Sequence, residues 1–243
     1  MVVAVLHHLE EPFTGFAGAA LRNAGLELDE RNLVAGDPLP RLGEADGILT
    51  LGGRQSAREL DRHDYLKAEA ELLREAVDAG VPVFGACLGG QMLARALGAE
   101  VRRMPRRMIA WREAPLLPAA SDDPVFSAWP PASRTLHWHE DELDLPPGAV
   151  ELMQRAGPGV EAFRHGDCAW GIQFHPETDA AAFERWCATA EREELEEAGV
   201  TVDGLRAAGE AHMAEQEHAA LRLFGAFGAV VRERTRSRAP ARS

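Results

Sequence analysis

Residues 83–94, Val-Phe-Gly-Ala-Cys-Leu-Gly-Gly-Gln-Met-Leu-Ala, constrain the fold more than any other stretch of this chain. A short apolar strand runs into Gly-x-Cys-x-Gly and then directly into a helix-forming segment. A strand-to-helix reversal this sharp holds its central residue in a strained conformation with neighbouring main chain close by, so the flanking positions must be small. Gly85 and Gly89 supply that room. Cys87 would then head a helix running to about Leu97, where unpaired N–H groups and the helix dipole favour a thiolate and can hold an oxyanion. Read alone, the same pattern also describes a buried structural cysteine with glycines for packing.

The surrounding pattern alternates strand and helix. Val2–Leu6 reads as a buried strand, 16–23 before Gly25 as a helix, 45–51 as a strand ending at Gly52-Gly53, 64–79 before Gly80 as a helix, and 81–84 as another strand. Strands alternating with helices imply βαβ units and a mostly parallel sheet flanked by helices. After Gly98 the chain turns β-rich, with extended stretches at 101–104, 109–117, 135–138, 151–155, 160–164 and 170–174, and turns at Pro146-Pro147-Gly148 and Gly157-Pro158-Gly159. From Asp179 one helix is expected to about Ala198 and, after Gly199, a second from about Val202 to Arg232. The second carries Leu205, Met213, Leu223, Phe224 and Phe227, enough for an apolar face that packs on the body or on a second copy. The basic stretch 235–243 has no large apolar residue and is expected to be a disordered tail.

With 243 residues, 46% of them hydrophobic, the chain can bury a core and fits one α/β domain with an appendage. Its 26 Lys+Arg against 39 Asp+Glu give a formal net charge of −13, which repels phosphate backbones and anionic membranes, so nucleic acid is not an expected partner. No apolar run approaches the roughly 20 residues of a membrane span, and the start lacks a basic region and cleavage site, so a cytoplasmic location is expected. Cys87, Cys168 and Cys187 are too few and too scattered for a disulfide framework, and no pair has CxxC spacing. Cys168 and Cys187 read as packing residues, which leaves Cys87 as the thiol with a chemical context.

A base for that thiol is offered by Trp170-Gly171-Ile172-Gln173-Phe174-His175-Pro176-Glu177. His175 ends an apolar strand, and Pro176 biases it towards extended backbone. In extended chain, positions i and i+2 project to the same side, so Glu177 can orient the imidazole. His175 would then deprotonate Cys87 and protonate a leaving amine, with Glu177 stabilising the imidazolium. Alone, a His-Pro-Glu at a strand end also reads as a turn; it is the elbow and the dyad together that favour a catalytic pair. His137-x-His139 puts two imidazoles on one strand face without a third ligand nearby in sequence, so neither a metal nor another cofactor is expected. The basic run Arg102-Arg103, Arg106-Arg107 reads as a solvated face, and Trp111 and Trp129 as core or rim residues.

Four motifs occur in order: ILTLGG at 48–53, PVFGACLGGQMLARALGAEV at 82–101, HWHED at 137–141 and WGIQFHPE at 170–177. On these the chain resembles the class I (triad-type) glutamine amidotransferases, and it is most similar to stand-alone proteins related to the glutaminase domain of GMP synthase. The resemblance implies a three-layer, flavodoxin-like α/β fold with an added β-rich part and C-terminal helices, organised as a domain over 1–195, a helical extension over 196–234 and the tail. It implies that Cys87 attacks the side-chain amide of L-glutamine, releasing ammonia and leaving a γ-glutamyl thioester for water, with Cys87, His175 and Glu177 as the triad. Gly53 and Leu88 would donate backbone N–H groups to the oxyanion. Gln91 would contact the substrate, though it also reads as an ordinary polar residue of a first helical turn. Trp138, Glu140 and Asp141 fall where the family holds the amino-acid end of glutamine, largely through backbone groups.

Two features depart from that pattern. Gly52-Gly53 is followed by Arg54 where many relatives have proline, and no acceptor domain follows Glu177. A separate ammonia-accepting synthetase is therefore the implied partner. Hydrolysis of γ-glutamyl peptides or γ-glutamyl amines without any synthetase is the alternative, and a non-catalytic scaffold that assembles through its C-terminal helices is a second.

Overall fold

The computed structural model describes residues 1–155 and 159–238. Strands β1 (Val2–His8), β2 (Glu27–Asn32), β3 (Gly47–Gly53), β4 (Val83–Ala86), β7 (Ala149–Met153), β8 (Ala162–His165) and β9 (Ala169–Ile172) form one sheet in the order β2-β1-β3-β4-β9-β8-β7. The five strands from β2 to β9 in that order are parallel, and β8 and β7 close the edge antiparallel. Helices α1 (Gly15–Asn23), α2 (Asp64–Asp78) and α3 (Leu88–Ala96) follow β1, β3 and β4 as crossovers.

Alternate side chains of each strand enter different cores because successive residues point to opposite faces. Val3, Val5, Leu49, Phe84 and Trp170 pack with α1 and with α6 (Val202–Arg238), whereas Leu6, Ile48, Val83 and Ala169 pack with α2 and α3. The result is the three-layer α/β fold expected from the sequence. Phe84 meets Phe224 and Phe227 of α6 at ring distances of 5.1 and 5.4 Å, so the C-terminal helix fills one face of the central sheet. No described helix is long and apolar enough to cross a membrane.

Three local expectations change, and one strand is unforeseen. The edge strand β2, Glu-Leu-Asp-Glu-Arg-Asn, has no apolar alternation to announce it; it forms by main-chain pairing from Val2↔Glu27 to His7↔Asn32. The stretches at 101–104 and 109–117 join in one strand, β5 (Val101–Glu113), which pairs antiparallel with β6 (Arg134–Leu143) as a separate ribbon. A register irregularity between Arg103 and Met108 accommodates Pro105, which has no N–H for the ladder. The helix expected from 179 to 198 is two, α4 (Ala180–Thr189) and α5 (Arg192–Ala198), separated by extended backbone at Ala190 and Glu191. Helix propensity reads straight through this break, because tertiary contacts place α5: the packing of Leu195 and Ala198 on a cluster with Ile109, Leu136 and Phe183, and the arginine bonds described below. Finally, α6 continues through Thr235 to Arg238, in place of the first part of the expected disordered tail; residues 239–243 and the start of the turn at Gly157-Pro158 lie outside the described residues.

Candidate active site

Cys87 occupies the single residue between β4 and α3, with φ 50° and ψ −111°. Positive φ is rare and strained for a side-chain-bearing residue, and it is sustained here by close main-chain packing. A Cβ on Gly85 would run into the backbone of Gly89, one on Gly89 into the Thr50 carbonyl, and one on Gly90 into the Ile172 carbonyl. Cys87 N–H donates to Ile172 O at 2.9 Å, tying the elbow to β9. The helix's hydrogen bonding begins with Gln91 N–H to Cys87 O at 2.9 Å, so the Leu88 amide sits in the open first turn beside the sulfur.

His175 follows β9 and is brought back over the elbow by a bond from its N–H to Leu136 O, 2.8 Å. Its Nδ1 lies 2.8 Å from Glu177 Oε1. A carboxylate only accepts, so Nδ1 carries the proton and a neutral ring keeps its lone pair on Nε2. Nε2 lies 3.4 Å from the Trp138 carbonyl oxygen, and Cys87 Sγ lies 3.9 Å from the same oxygen, so sulfur and base converge at one point. Burial opposes protonation of His175, but the charges of Cys87 and Glu177 and their hydrogen bonds outweigh it and hold the imidazole well above its usual pKa. Trp186 of α4 braces the ring edge-on at 4.9 Å, and a Cβ on Gly52 would lie 2.6 Å from the ring's Cε1. The structure thus brings Cys87, His175 and Glu177 together at the C-terminal ends of the parallel strands, where open α/β sheets place ligand crevices.

A cleft of about 200 Å³ opens over them and includes Gly53, Leu88, Gln91, Trp138, Glu140 and Asp141 in its lining. Gln91 Nε2 donates to Asp141 O at 3.2 Å and Gln173 Oε1 at 3.3 Å, so both amide hydrogens are engaged and Oε1 is the group it can offer a ligand. The Asp141 carboxylate accepts from the Ser56 hydroxyl and from Arg58 Nε at 2.9 Å. Glu140 is paired with Arg103 at 2.5 Å and with Arg107. Both carboxylates are therefore committed within the protein, and the Trp138 ring packs on Trp186 at 5.7 Å.

The arginine run is not a simple solvated face. Arg107 lines the cleft and reaches Glu194 at 2.8 Å, Arg103 reaches Glu197 at 3.1 Å, and Arg106 Nε donates to Glu197 O at 2.6 Å. These bonds draw α5 onto the cleft rim; Arg102 alone pairs elsewhere, with Glu100 and Asp144. Arg54 forms an exposed pair with Glu191 at 3.5 Å.

His137 and His139 are used internally. His137 Nε2 meets Glu161 Oε2 at 3.1 Å, and His139 Nδ1 donates to Asp141 O at 2.9 Å. Burial first, then the neighbouring His137, pushes His139 down to about 3. Glu161 falls to about 2, because the His137 hydrogen bond and the His137 and Arg155 charges outweigh its burial. Among the described residues, no group of three or more His, Cys, Asp or Glu could hold a metal. Cys168 and Cys187 are buried and unbridged, and burial pushes both thiols up.

One set of supporting residues escapes sequence reasoning. His8 Nε2 meets Glu69 Oε2 at 2.7 Å, the Thr50 hydroxyl donates to Glu69 Oε1 at 2.6 Å, and His8 Nδ1 donates to Leu51 O at 3.1 Å, all buried beneath Gly52 and Gly53. A signal was present: Glu69 interrupts the apolar face of α2 between Leu66 and Leu73. Trp186 gave none, since one aromatic in a helix reads as core.

Comparison with known proteins agrees with this architecture. The family profile described as Glutamine amidotransferase class-I matches residues 20–187. The glutamine amidotransferase-like protein YfeJ of Salmonella typhimurium is 31% identical over 175 residues, covering 69% of this chain and 73% of that protein. A glutamine-hydrolyzing GMP synthase subunit from Haloarcula marismortui is 32% identical over 167 residues, covering 68% and 80% respectively. Two further relatives are matched over only 56% and 23% of their own length. A glutamine amidotransferase from Thermotoga maritima superposes with a TM-score of 0.79 at 28% identity, over 93% of this chain and 97% of that one. A Cys87 elbow facing a His-Glu pair, on a sheet that superposes on those proteins and in a chain matched from 20 to 187, places this protein in the class I glutamine amidotransferase family.

Proposed function

We propose that this chain hydrolyses the side-chain amide of L-glutamine through a γ-glutamyl thioester on Cys87, with His175 and Glu177 completing the triad. The observation that carries the reading is the convergence of the strained Cys87 sulfur and His175 Nε2 on one point, with Nδ1 fixed by Glu177 at 2.8 Å. The thiolate attacks the amide carbon, and the carbonyl electron pair moves to oxygen, where the Gly53 and Leu88 N–H groups receive the oxyanion. Collapse expels the amine, which takes the imidazolium proton and leaves as ammonia. Water, deprotonated by the now neutral His175, attacks the thioester, and the sulfur departs with glutamate released. Gln91 Oε1 accepts an N–H of the substrate, while Trp138, Glu140 and Asp141 shape the pocket for its amino-acid end.

A separate synthetase is the proposed consumer of the ammonia, in keeping with the Haloarcula relative being named as one subunit of a GMP synthase. The 1–195 body carries the site and the 196–234 extension supports it. The test is ammonia and glutamate release from L-glutamine by the purified chain, with Cys87→Ala as control and γ-glutamyl amides beside it. Cys87-dependent release from glutamine is the expected result. Turnover confined to γ-glutamyl amides with bulky leaving amines would replace glutamine as substrate, and no Cys87-dependent release with or without candidate synthetases would overturn the enzyme reading.

A further inference from the structure

Gln216 lies in the middle of α6, fully buried among Ala219, Ala220 and Leu223, where an apolar side chain would be the ordinary occupant. Burying an amide without partners is unfavourable, so its bonds show what the position is for. Its Oε1 accepts from Leu136 N–H at 2.8 Å and from the Thr135 hydroxyl at 3.0 Å. Its Nε2 donates to Thr178 O at 2.7 Å. The two ends of this one amide therefore join β6 to the residue that follows Glu177.

Both attachment points bear on the acid–base pair. Leu136 O receives the His175 N–H, and Trp138 O, two residues along the same strand and so on the same edge, is the oxygen that Nε2 and Cys87 Sγ share. Thr178 is the exit of the His-Pro-Glu segment, which is also tied to α1 by Phe16 N–H to Glu177 O at 2.9 Å. We infer that Gln216 is a positioning residue for the His175–Glu177 pair: it sets the spacing between β6 and residues 175–178 and thereby where Nε2 stands relative to Cys87. The C-terminal helix, beyond the matched segment 20–187, is on this account part of the catalytic apparatus and not packing alone. The inference rests on the proposed role of His175 as the base for Cys87.

The test uses the full chain and reads the cysteine directly, independent of any substrate. Alkylation of Cys87 by iodoacetamide is followed from pH 5 to 10 in the parent, His175→Asn and Gln216→Met, with turnover and thermal unfolding measured alongside. Met keeps the volume and removes all three bonds. The expected result is folded Gln216→Met whose alkylation at low pH falls towards that of His175→Asn while the rate at pH 10 is unchanged, with kcat lower by roughly 10- to 100-fold at similar KM, as for a base displaced by a fraction of an ångström. Should Gln216→Met not fold, Gln216→Glu keeps the acceptor for Leu136 and Thr135 and loses the donor to Thr178, and Thr135→Val removes one partner only; both are expected to give intermediate profiles. A lowered unfolding temperature with a parental alkylation profile would overturn the positioning role and leave a structural one. Identical profiles for the parent and His175→Asn would overturn the base assignment itself, which separates the two failures.

Discussion

On one side of the cleft, Gly85, Gly89 and Gly90 press main chain against main chain around Cys87; on the other, α5 has no fully buried residue and is tied down by ion pairs from Arg103 and Arg107, by a hydrogen bond from Arg106 to the Glu197 carbonyl, and by half-buried Leu195 and Ala198 against the Ile109–Leu136–Phe183 cluster. The first wall has no slack, since each missing Cβ is replaced by a neighbouring backbone atom. The second relies on long charged side chains, half-buried at Arg107 and Glu194 and more exposed at Arg103, whose pairing weakens with salt where water reaches it. The contrast teaches that the proposed nucleophile is held by packing and the α5 rim of the cleft largely by charge, so substitutions in the two walls should differ in kind as well as in size.

The largest effect is expected at the centre of the rigid wall. Cys87→Ala should reduce amide hydrolysis by on the order of 10⁴-fold or more with the fold intact, read as ammonia release beside a thermal melt; residual turnover near the parental rate would break the assignment of the elbow as the reacting element. Next, Gly89→Ala should destabilise by about 3 kcal/mol, because its methyl meets the Thr50 carbonyl and neither backbone can retreat. Denaturant unfolding measures this, and a change near zero would mean that the elbow is looser than its geometry.

The buried polar layer behind the cleft gives a pH-dependent effect. His139 titrates near 3 when folded and near 6.5 when unfolded, so the unfolded chain binds a proton that the folded one refuses. Its contribution is lost as pH falls from about 6.5 towards 3. Glu161, at about 2 against an ordinary 4.5, adds a loss of the same sign between those values. Urea unfolding from pH 7 to 3 should show this acid limb, and His139→Gln should flatten its upper part. The smallest effect belongs to the charged wall: Glu194→Gln, losing the 2.8 Å pair with Arg107, should change stability by no more than about 1 kcal/mol while altering KM more than kcat. If kcat falls as it does for the elbow variants, the division of labour between the two walls is wrong.

The parts legible in the sequence are those whose chemistry is local. The Gly-x-Cys-x-Gly elbow, the glycines that end β3 and the His-Pro-Glu segment each state their own conformation, because a small residue, a proline or an i, i+2 spacing acts over a few bonds. Trp186, Arg107 and the His8–Glu69–Thr50 set were not legible as site-supporting residues. Each acts on residues far away in the chain; Trp186 and Arg107 read locally as core and solvated charge, and Glu69, though it interrupts the apolar face of α2, does not say which residues it meets. The break between α4 and α5 belongs with them, for helix formers run through it, while the arginines of β5 and the packing of Leu195 and Ala198 on the Ile109–Leu136–Phe183 cluster place α5.

By itself the sequence determined the alternation of strands and helices, the sharp turn at Cys87 and the residue types able to serve it, because patterning, backbone sterics and side-chain chemistry are properties of short segments. The tertiary structure alone decided that sulfur and imidazole meet at the Trp138 carbonyl, that α5 is drawn over the cleft, and that one buried amide from the C-terminal helix joins β6 to the segment after Glu177. Those outcomes depend on distances between elements remote in sequence, which are fixed only when the two cores on either side of the sheet close.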